Sequence, residues 1–352
     1  MKILIVDDMP VYARIIGNVL KRIPGVEVVG TASDGLQALT KISELKPDLI
    51  TLDIEMPKFD GLEVLHEINQ RGIKTGVIVI SGLTASSAEL TTQALQLGAF
   101  DFVLKPTGTG GMAANSAKLL GCLEPRIRAF AGARNIILPN SPKPMQANMA
   151  TRAATSQHAD LVVIACSTGG PAALRTLLSQ LPRAHSAPIV IAQHMPPQFT
   201  QSLARNLNDQ CPMYVVEAAN GMQVEPNTVY VAPGGLQTRI VAKGRQTYLE
   251  TSDQNVASGL RPSADFLFHS AVEAYGRNLL GVVLTGMGDD GRRGSEEIVA
   301  AGGTVFAQEA QSCVVYGMPR AVVEANLAHQ ILTLDAMAKA IFNQCNKPSL
   351  VS

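Results

Sequence analysis

The sequence predicts two α/β units, each built around a largely parallel β-sheet. Strand-sized apolar runs alternate with helix-forming segments in both halves of the chain, a pattern typical of parallel sheets covered by helices. The 352 residues exceed one typical domain of about 150 residues, and Pro139, Pro142 and Pro144 mark a stretch typical of a flexible linker. We therefore expect a first domain at residues 1–125, a linker at 126–157 and a second domain at 158–346.

The first domain is expected to form a doubly wound sheet of five parallel strands. Helical patterns lie between the predicted strands, which are Ile3–Val6, Val26–Val29, Leu49–Leu52, Val77–Ile80 and Phe102–Leu104. A Gly/Thr break at Thr107–Gly111 then precedes a predicted helix over Ala113–Phe130.

The second domain repeats the same alternation of strands and helices. Its predicted parallel strands are Leu161–Cys166, Ile189–Gln193, Val229–Val231 and Leu279–Leu284, with helices after the first, second and last. The stretch Arg239–Glu250 alternates around a Lys243–Gly244 turn, which predicts a β-hairpin attached to that sheet.

The composition predicts a folded protein that neither binds nucleic acid nor enters a membrane. Hydrophobic residues make up 46% and charged residues 16% of the chain, which excludes a disordered chain. The 29 basic and 29 acidic side chains cancel, so the basic surface of a nucleic-acid binder is not expected. No apolar run approaches the roughly 20 residues that span a bilayer, so we expect no direct membrane insertion.

The cysteines and the first residues indicate a cytoplasmic protein. The five cysteines are scattered, without a CxxC pair or a Cys/His cluster, which favours a reducing compartment. The start of the chain shows no secretory leader pattern.

Polar residues follow the predicted strands of the first domain at the point where each strand ends. Asp7 and Asp8 follow the first strand, Asp53 the third, Ser81 the fourth and Lys105 the fifth. Because parallel strands end at one edge of a sheet, the three carboxylates would repel one another there unless a cation such as Mg²⁺ neutralised them. Singly, each aspartate could equally be a helix cap or a turn former.

This constellation resembles response-regulator receiver domains over about residues 1–125. The resemblance implies that Asp53 is the phosphoacceptor and that Asp7, Asp8 and Asp53 hold Mg²⁺. It also implies that Ser81 and Lys105 contact the phosphoryl group and that Phe102 is the aromatic switch residue.

The second domain places residues of the serine-hydrolase type after three strands. Ser167 opens a Ser-Thr-Gly-Gly turn between a strand and a helix, His194 follows the next strand, and Asp289 and Asp290 follow the last. A histidine oriented by an aspartate can activate a serine, while amides at a helix start can stabilise an oxyanion. The turn could instead bind a phosphate or dinucleotide, although GxGxxG and the P-loop pattern are both missing.

Six segments of the second domain resemble the CheB methylesterase domain. They are Ser-Thr-Gly-Gly at 167–170, Gln-His-Met-Pro at 193–196, Ala-Pro-Gly-Gly at 232–235, Arg-Pro-Ser at 261–263, Leu-Thr-Gly-Met-Gly-Asp-Asp-Gly at 284–291 and Gly-Met-Pro at 317–319. The resemblance implies a triad of Ser167, His194 and Asp290. Spacing alone leaves Asp289 and Asp290 equivalent.

Three further positions are interpreted through the same resemblance. Thr168 and Met287 are expected beside the active site, as neighbours of the oxyanion position. Cys166 stands where alanine is common, and we interpret it as a small buried strand residue rather than a nucleophile or redox group.

The combined resemblance implies a phosphorylation-controlled enzyme that hydrolyses glutamate methyl esters on chemoreceptors and also deamidates glutamine. The implied partners are the receptors and a CheA-type histidine kinase, with Mg²⁺ for phosphorylation and no cofactor for ester hydrolysis. The alternative is a phosphorylation-dependent adaptor whose second domain lacks catalysis. A DNA-binding output domain is disfavoured, because no helix-turn-helix pattern or basic stripe follows residue 158.

Overall fold

The computed structural model describes residues 1–106, 111–139, 158–183 and 186–346, and the chain divides into two compact units. The first unit comprises residues 1–145 and the second residues 146–352. None of the helices in these described ranges combines the length and the apolar composition needed to cross a bilayer.

The first unit is a five-stranded parallel sheet with its strands in the order β2-β1-β3-β4-β5. The strands are β1 (Lys2–Val6), β2 (Glu27–Ala32), β3 (Leu49–Asp53), β4 (Gly76–Ser81) and β5 (Asp101–Leu104). The five predicted strands are thus confirmed. The second strand continues beyond its predicted end at Val29, because Gly30 and Thr31 still pair with Leu4 and Ile5 of β1.

Among its described residues this unit has five helices, and local chemistry sets where several of them begin. They are α1 (Pro10–Leu20), α2 (Gly35–Leu45), α3 (Gly61–Gln70), α4 (Ala85–Gln96) and α5 (Gly111–Ala133). The side chains of Asp34, Asp60 and Thr84 accept amide hydrogen bonds at the starts of α2, α3 and α4, which satisfies donors that a helix leaves unpaired.

Helix α5 changes the predicted boundary between the first domain and the linker. The helix continues to Ala133, so the first part of the linker predicted at 126–157 is helical. Burial explains the continuation, because Ile127 is fully buried and the Phe130 ring packs edge-on against Phe100 with centroids 5.2 Å apart. The rest of that predicted linker, from 140 to 157, and most of the predicted Gly/Thr break lie outside the described residues.

The second unit contains a seven-stranded parallel sheet in the order β15-β14-β13-β6-β7-β10-β8. Its strands are β6 (Leu161–Cys166), β7 (Ile189–Gln193), β8 (Tyr214–Glu217), β10 (Thr228–Val231), β13 (Leu279–Val283), β14 (Thr304–Gln308) and β15 (Gln330–Leu332). The four predicted parallel strands are confirmed. The sequence analysis did not identify β8, β14 or β15.

In the part of the second unit that the structure describes, six α-helices and a short 3-10 helix accompany the strands. They are α6 (Gly170–Ser179), α7 (Phe199–Gln210), α8 (Ala264–Tyr275), α9 (Arg292–Ala300), the 3-10 helix Ala310–Ser312, α10 (Met318–Glu324) and α11 (Leu334–Cys345). Helices α6, α7 and α9 stand after β6, β7 and β13 as predicted.

The predicted hairpin exists, but its attachment to the main sheet was wrong. Strands β11 (Gln237–Lys243) and β12 (Gln246–Ser252) pair with β9 (Met222–Gln223) in a separate antiparallel sheet. The cross-strand pair Ile240 and Leu249 is buried, and Ile240 N donates to Ser270 Oγ of α8 at 3.0 Å. The hairpin therefore packs its apolar face against α8 instead of extending the main sheet.

Candidate phosphorylation and hydrolase sites

Three carboxylates meet at the carboxyl edge of the first sheet. Asp7 and Asp8 follow β1, and Asp53 ends β3, which is paired with β1. One oxygen from each carboxylate lies within 4.8 Å of the other two. Burial raises the pKa of both Asp7 and Asp53. The structure thus brings together the three residues that the sequence analysis predicted as ligands.

Lys105 supplies one positive charge to this cluster. Its Nζ atom lies 2.5 Å from Asp53 Oδ2 and 3.4 Å from Asp7 Oδ2. Burial acts to lower the pKa of Lys105, but the bond to Asp53 and the two aspartate charges outweigh burial and raise that pKa. Asp7 Oδ2 remains buried without a hydrogen bond within the described ranges. A donor set of three carboxylates with one such oxygen fits a hard divalent cation like Mg²⁺.

Ser81 ends β4, but its hydroxyl is bonded to helix α4. Ser81 Oγ accepts a hydrogen bond of 2.7 Å from Thr91 Oγ1, and both side chains are buried. Phe102 lies in β5 and is also buried. Of the predicted receiver residues, the structure therefore groups Asp7, Asp8, Asp53 and Lys105, whereas the Ser81 hydroxyl bonds elsewhere.

The hydrolase residues follow three adjacent strands of the second sheet. Strand β6, which leads to Ser167, lies between β13 and β7. Strand β13 leads to Asp290, and β7 leads to His194. The backbone amide of His194 donates to the carbonyl of Cys166, the residue before Ser167, at 3.1 Å. Strand order thus brings together side chains that are far apart in the sequence.

Asp290, and not Asp289, is paired with His194. The His194 Nε2 atom lies 2.8 Å from Asp290 Oδ2, and both side chains are largely buried. Asp289, in contrast, is exposed. Because Nε2 is engaged by the aspartate, Nδ1 is the ring nitrogen that remains to take a proton from serine.

Helix α8 and its cap Ser263 supply hydrogen bonds to both oxygens of Asp290. Asp290 Oδ2 accepts from Ala264 N at 2.7 Å, and Oδ1 accepts from Ser263 Oγ at 3.1 Å and from Asp265 N at 3.0 Å. Burial acts to raise the pKa of Asp290, but the hydrogen bonds from His194 and the helix amides outweigh burial and lower it. The role of α8 was missed in the sequence analysis, although Ser263 is recognisable as a helix cap.

The turn at Ser167 leaves the serine partly exposed, and two amides of the turn are hydrogen-bonded to carbonyls of the protein. Ser167 is partly exposed; its amide donates to Thr285 O at 3.0 Å, and Gly170 N donates to Ser167 O at 2.8 Å. Because both amides already donate to carbonyls of the protein, neither is available to stabilise an oxyanion. The predicted oxyanion donors at this helix start therefore do not include the amides of Ser167 and Gly170. Within the described residues, no hydrogen bond joins the Ser167 hydroxyl to the His194 ring.

Gln193 links the backbone of Ser167 to that of His194. Its Nε2 atom donates to Ser167 O at 3.0 Å and to His194 O at 3.4 Å. The side chain is 1% exposed, so water does not compete for these bonds. The sequence shows Gln193 only as the first residue of the Gln-His-Met-Pro segment, and this supporting role could not be predicted from it.

The remaining predicted neighbours lie in the same loops. Thr168 is buried, and its carbonyl accepts from Thr285 Oγ1 at 2.9 Å; Met287 is partly buried in the loop after β13. Cys166 is fully buried at the end of β6, and burial raises the pKa of its thiol far above the ordinary value. A thiol that does not ionise fits the interpretation of Cys166 as a packing residue.

Two family models match the chain, one for each unit. The CheB methylesterase model matches residues 162–341, and the response regulator receiver domain model matches residues 3–115. A crystal structure of the Thermotoga maritima CheB methylesterase catalytic domain covers 52% of this chain and 97% of its own, with 38% identity and a TM-score of 0.52.

Two relatives are similar to this chain over almost their whole length, across both units. The protein-glutamate methylesterase/protein-glutamine glutaminase of Desulfotalea psychrophila is 39% identical over 97% of both chains. A Myxococcus xanthus relative, protein-glutamate methylesterase/protein-glutamine glutaminase 5, is 41% identical over 96% of this chain and 95% of its own. The chain therefore belongs to the protein-glutamate methylesterase/protein-glutamine glutaminase family, with a receiver domain followed by a CheB methylesterase domain.

Proposed function

We propose that this chain hydrolyses glutamate γ-methyl esters on chemoreceptors, releasing methanol, and deamidates receptor glutamines. The observation that carries the proposal is the His194–Asp290 pair at 2.8 Å, held at the same sheet edge as the partly exposed Ser167. The names of the relatives supply the two substrates, an ester and an amide of the same glutamyl carbonyl. Both reactions are acyl transfers that one triad can perform.

In the first half of the reaction Ser167 becomes acylated. Ser167 Oγ attacks the γ-carbonyl carbon while its proton moves to His194 Nδ1, which gives a tetrahedral oxyanion. The bond to the methoxy oxygen then breaks, and His194 returns the proton so that methanol leaves; a glutamine substrate releases ammonia in the same way. Asp290 keeps the imidazole oriented through Nε2 and stabilises its charged form.

In the second half water resolves the acyl-enzyme. His194 removes a proton from water, the hydroxide oxygen attacks the acyl carbon, and the bond to Ser167 Oγ breaks as the serine takes the proton back. The product is a glutamate carboxylate. Because His194 and the α8 amides lower the pKa of Asp290, the same carboxylate serves both halves.

The first unit receives the control signal in this proposal. An Asp53 oxygen attacks the phosphorus of a phosphohistidine on a CheA-type kinase, the bond between phosphorus and nitrogen breaks, and Lys105 offsets negative charge on the transferred group. Asp7, Asp8 and Asp53 would hold Mg²⁺, which when bound neutralises phosphoryl charge. The five cysteines are unpaired, which supports a reducing compartment such as the cytoplasm.

The competing function is that of an adaptor which binds receptors without catalysis. Methanol release from methylated receptor fragments separates the two, with the full chain, Ser167→Ala, and the full chain plus a small phosphodonor and Mg²⁺. We expect methanol from the parent, an increase with the phosphodonor, and none above background from a folded Ser167→Ala. Turnover by that variant near the parental rate would remove Ser167 as the nucleophile, and an inactive parent would favour the adaptor.

A further inference from the structure

Thr285 contacts the nucleophile turn through both its backbone and its side chain. Ser167 N donates to Thr285 O at 3.0 Å, and Thr285 Oγ1 donates to Thr168 O at 2.9 Å. The side chain is 1% exposed, and these partners are more than 100 positions away in the sequence. One residue thus holds two peptide groups of the turn that carries the nucleophile, the one before Ser167 and the one after Thr168.

The same hydroxyl ties the turn to a third segment, the loop before α10. Val315 N donates to Thr285 Oγ1 at 2.9 Å, and Gly286 N donates to Val315 O at 3.0 Å. The loop also packs directly on the turn, because a Cβ at Gly169, where φ is +79°, would lie 2.6 Å from Val314 Cβ. The Thr285 hydroxyl therefore stands between the nucleophile turn and a loop that closes against it.

Gln308, on the neighbouring strand β14, holds the backbone of Thr285 in place. Its Oε1 accepts from Thr285 N at 2.8 Å, and its Nε2 donates to Ser312 O at 2.7 Å. Gln308 is fully buried, so Thr285 is held from behind by a side chain with both ends of its amide occupied.

We propose that the Thr285 hydroxyl is a positioning group for the esterase reaction, which rests on the proposed function of Ser167. Because the peptide between Thr168 and Gly169 is planar, holding the Thr168 carbonyl also fixes the direction of the Gly169 N–H. Thr285 thereby fixes the position of Ser167 and the direction of the Gly169 amide. Thr285 is buried and its hydroxyl is bonded to backbone groups, so its effect on the reaction passes through the turn.

A buried hydroxyl could also serve stability alone, and the two roles predict different kinetics. A loss of stability lowers the amount of folded enzyme without changing the turnover of each folded molecule. A misplaced nucleophile lowers kcat while substrate binding persists, because small displacements of reacting groups carry large rate penalties. The ratio of kcat to KM effects, measured on folded protein, therefore separates positioning from stability.

The test uses the full chain with three substitutions. Thr285→Val keeps the shape and removes the hydroxyl, and Thr285→Ser restores it. Ser270→Ala is the control, because Ser270 Oγ is also buried, donates to a carbonyl (Leu267 O, 2.8 Å) and accepts from an amide (Ile240 N, 3.0 Å). Thr285 Oγ1 differs in having a second carbonyl, Val315 O, at 3.2 Å. Methanol release is measured against the concentration of a methylated receptor fragment, with phosphodonor and Mg²⁺ in every assay.

For Thr285→Val we expect kcat to fall by about tenfold or more with KM changed less than about threefold. Thr285→Ser and Ser270→Ala should keep kcat within about threefold of the parent. The pH profile of kcat should keep its shape in Thr285→Val, because the His194–Asp290 pair is untouched. If Thr285→Val does not fold, Thr285→Cys, which keeps the size and weakens both hydrogen bonds, is judged by the same criteria.

Two results would overturn this inference while leaving the proposed function intact. One is a folded Thr285→Val with parental kcat; the other is an equal loss in Ser270→Ala, which would show a general effect of losing a buried hydroxyl. A parent that releases no methanol would instead overturn the proposed function and this inference together.

Discussion

Asp265 and Asp290 exchange helix caps. Asp290 stands just before α9, yet its Oδ1 accepts the amide of Asp265 in α8 at 3.0 Å. Asp265 Oδ1 in turn accepts the amides of Gly291 and Gly294 at the start of α9, both at 2.9 Å. Asp290 therefore caps α8 and Asp265 caps α9, which ties the loop that carries Asp290 to the first turn of α8.

The first prediction compares the two adjacent aspartates. Asp290→Asn should lower kcat far more than tenfold, because an amide places an N–H or a neutral oxygen against His194 Nε2 and stabilises the wrong tautomer. The kcat of Asp289→Asn should stay within about twofold of the parental kcat, because Asp289 is exposed and the hydrogen bond to the His194 ring is made by Asp290. Methanol release from both variants measures the difference. A larger loss from Asp289→Asn would mean that the exposed residue is the catalytic one.

A second prediction concerns the phosphoacceptor. Asp53→Asn should incorporate no base-labile phosphate from a small phosphodonor with Mg²⁺, because an amide oxygen is too weak a nucleophile. Lys105→Ala is the companion variant; it keeps the Asp53 carboxylate and should slow incorporation without abolishing the site, since it removes only the neighbouring charge. Intact-mass measurement follows the added phosphoryl group. Stoichiometric labelling of Asp53→Asn would locate the acyl phosphate on another residue.

The positions of both sites could be predicted from sequence because the fold is parallel. Every strand of such a sheet ends at the same edge, so Asp53 and Lys105, or Ser167 and His194, had to come together once their strands were recognised. Strands of four to six consecutive apolar residues gave a strong signal for β1, β6 and β7. The three-residue, half-buried edge strand Gln330–Leu332 gave none.

The groups that support the sites could not be predicted, because they depend on contacts between distant segments. Thr285 and Thr168 are 117 positions apart, and nothing in either local pattern indicates their hydrogen bond. Spacing likewise does not separate Asp289 from Asp290, since both follow the same strand. The family resemblance selected Asp290, and the packing of α8 is what buries it. Likewise, the Ser81 position is readable from β4, whereas the bond of its hydroxyl to Thr91 is not.

A third prediction tests the close approach between Gly170 and Gln193. A Cβ at Gly170 would lie 1.9 Å from Gln193 Oε1 and 3.1 Å from Cys166 Cβ, so Gly170→Ala must displace the glutamine. We expect a destabilisation of about 1–3 kcal/mol and a fall in kcat, because the link between Ser167 O and His194 O is broken.

The control for that prediction is a glycine in a helix with open space around it. At Gly121 in α5, apart from its chain neighbours and the helix's own backbone, no heavy atom of the described residues lies within 4 Å of the added Cβ, so Gly121→Ala should be neutral or stabilising by up to about 1 kcal/mol. Urea unfolding and methanol release give both quantities. Unchanged stability and turnover in Gly170→Ala would show that the glutamine is not held as described.

The last prediction concerns the ion pair between α8 and α9. His269 Nδ1 lies 2.6 Å from Glu297 Oε2, and Glu273 on the same helix lies 3.6 Å from Nε2. The hydrogen bond from Glu297 raises the pKa of His269, against a smaller opposing effect of burial. Because the folded pKa is the higher one, the pair's stabilisation is complete below the unfolded pKa of about 6.5 and is lost as pH rises through the folded pKa.

Glu297→Gln should therefore lower the free energy of unfolding more at about pH 5.5 than at about pH 9, where the histidine is neutral in both states. The His269 side chain is 55% exposed and screened by solvent, so the difference should not exceed about 1 kcal/mol. Urea unfolding of the parent and the variant at both pH values measures it. In a His269→Ala background the pH dependence of the Glu297→Gln effect should vanish, because the titrating partner is gone. Glu273→Gln should give a smaller effect of the same sign, since its carboxylate is farther from the ring. An effect of Glu297→Gln that grows with pH would mean that the glutamate acts through a group other than His269.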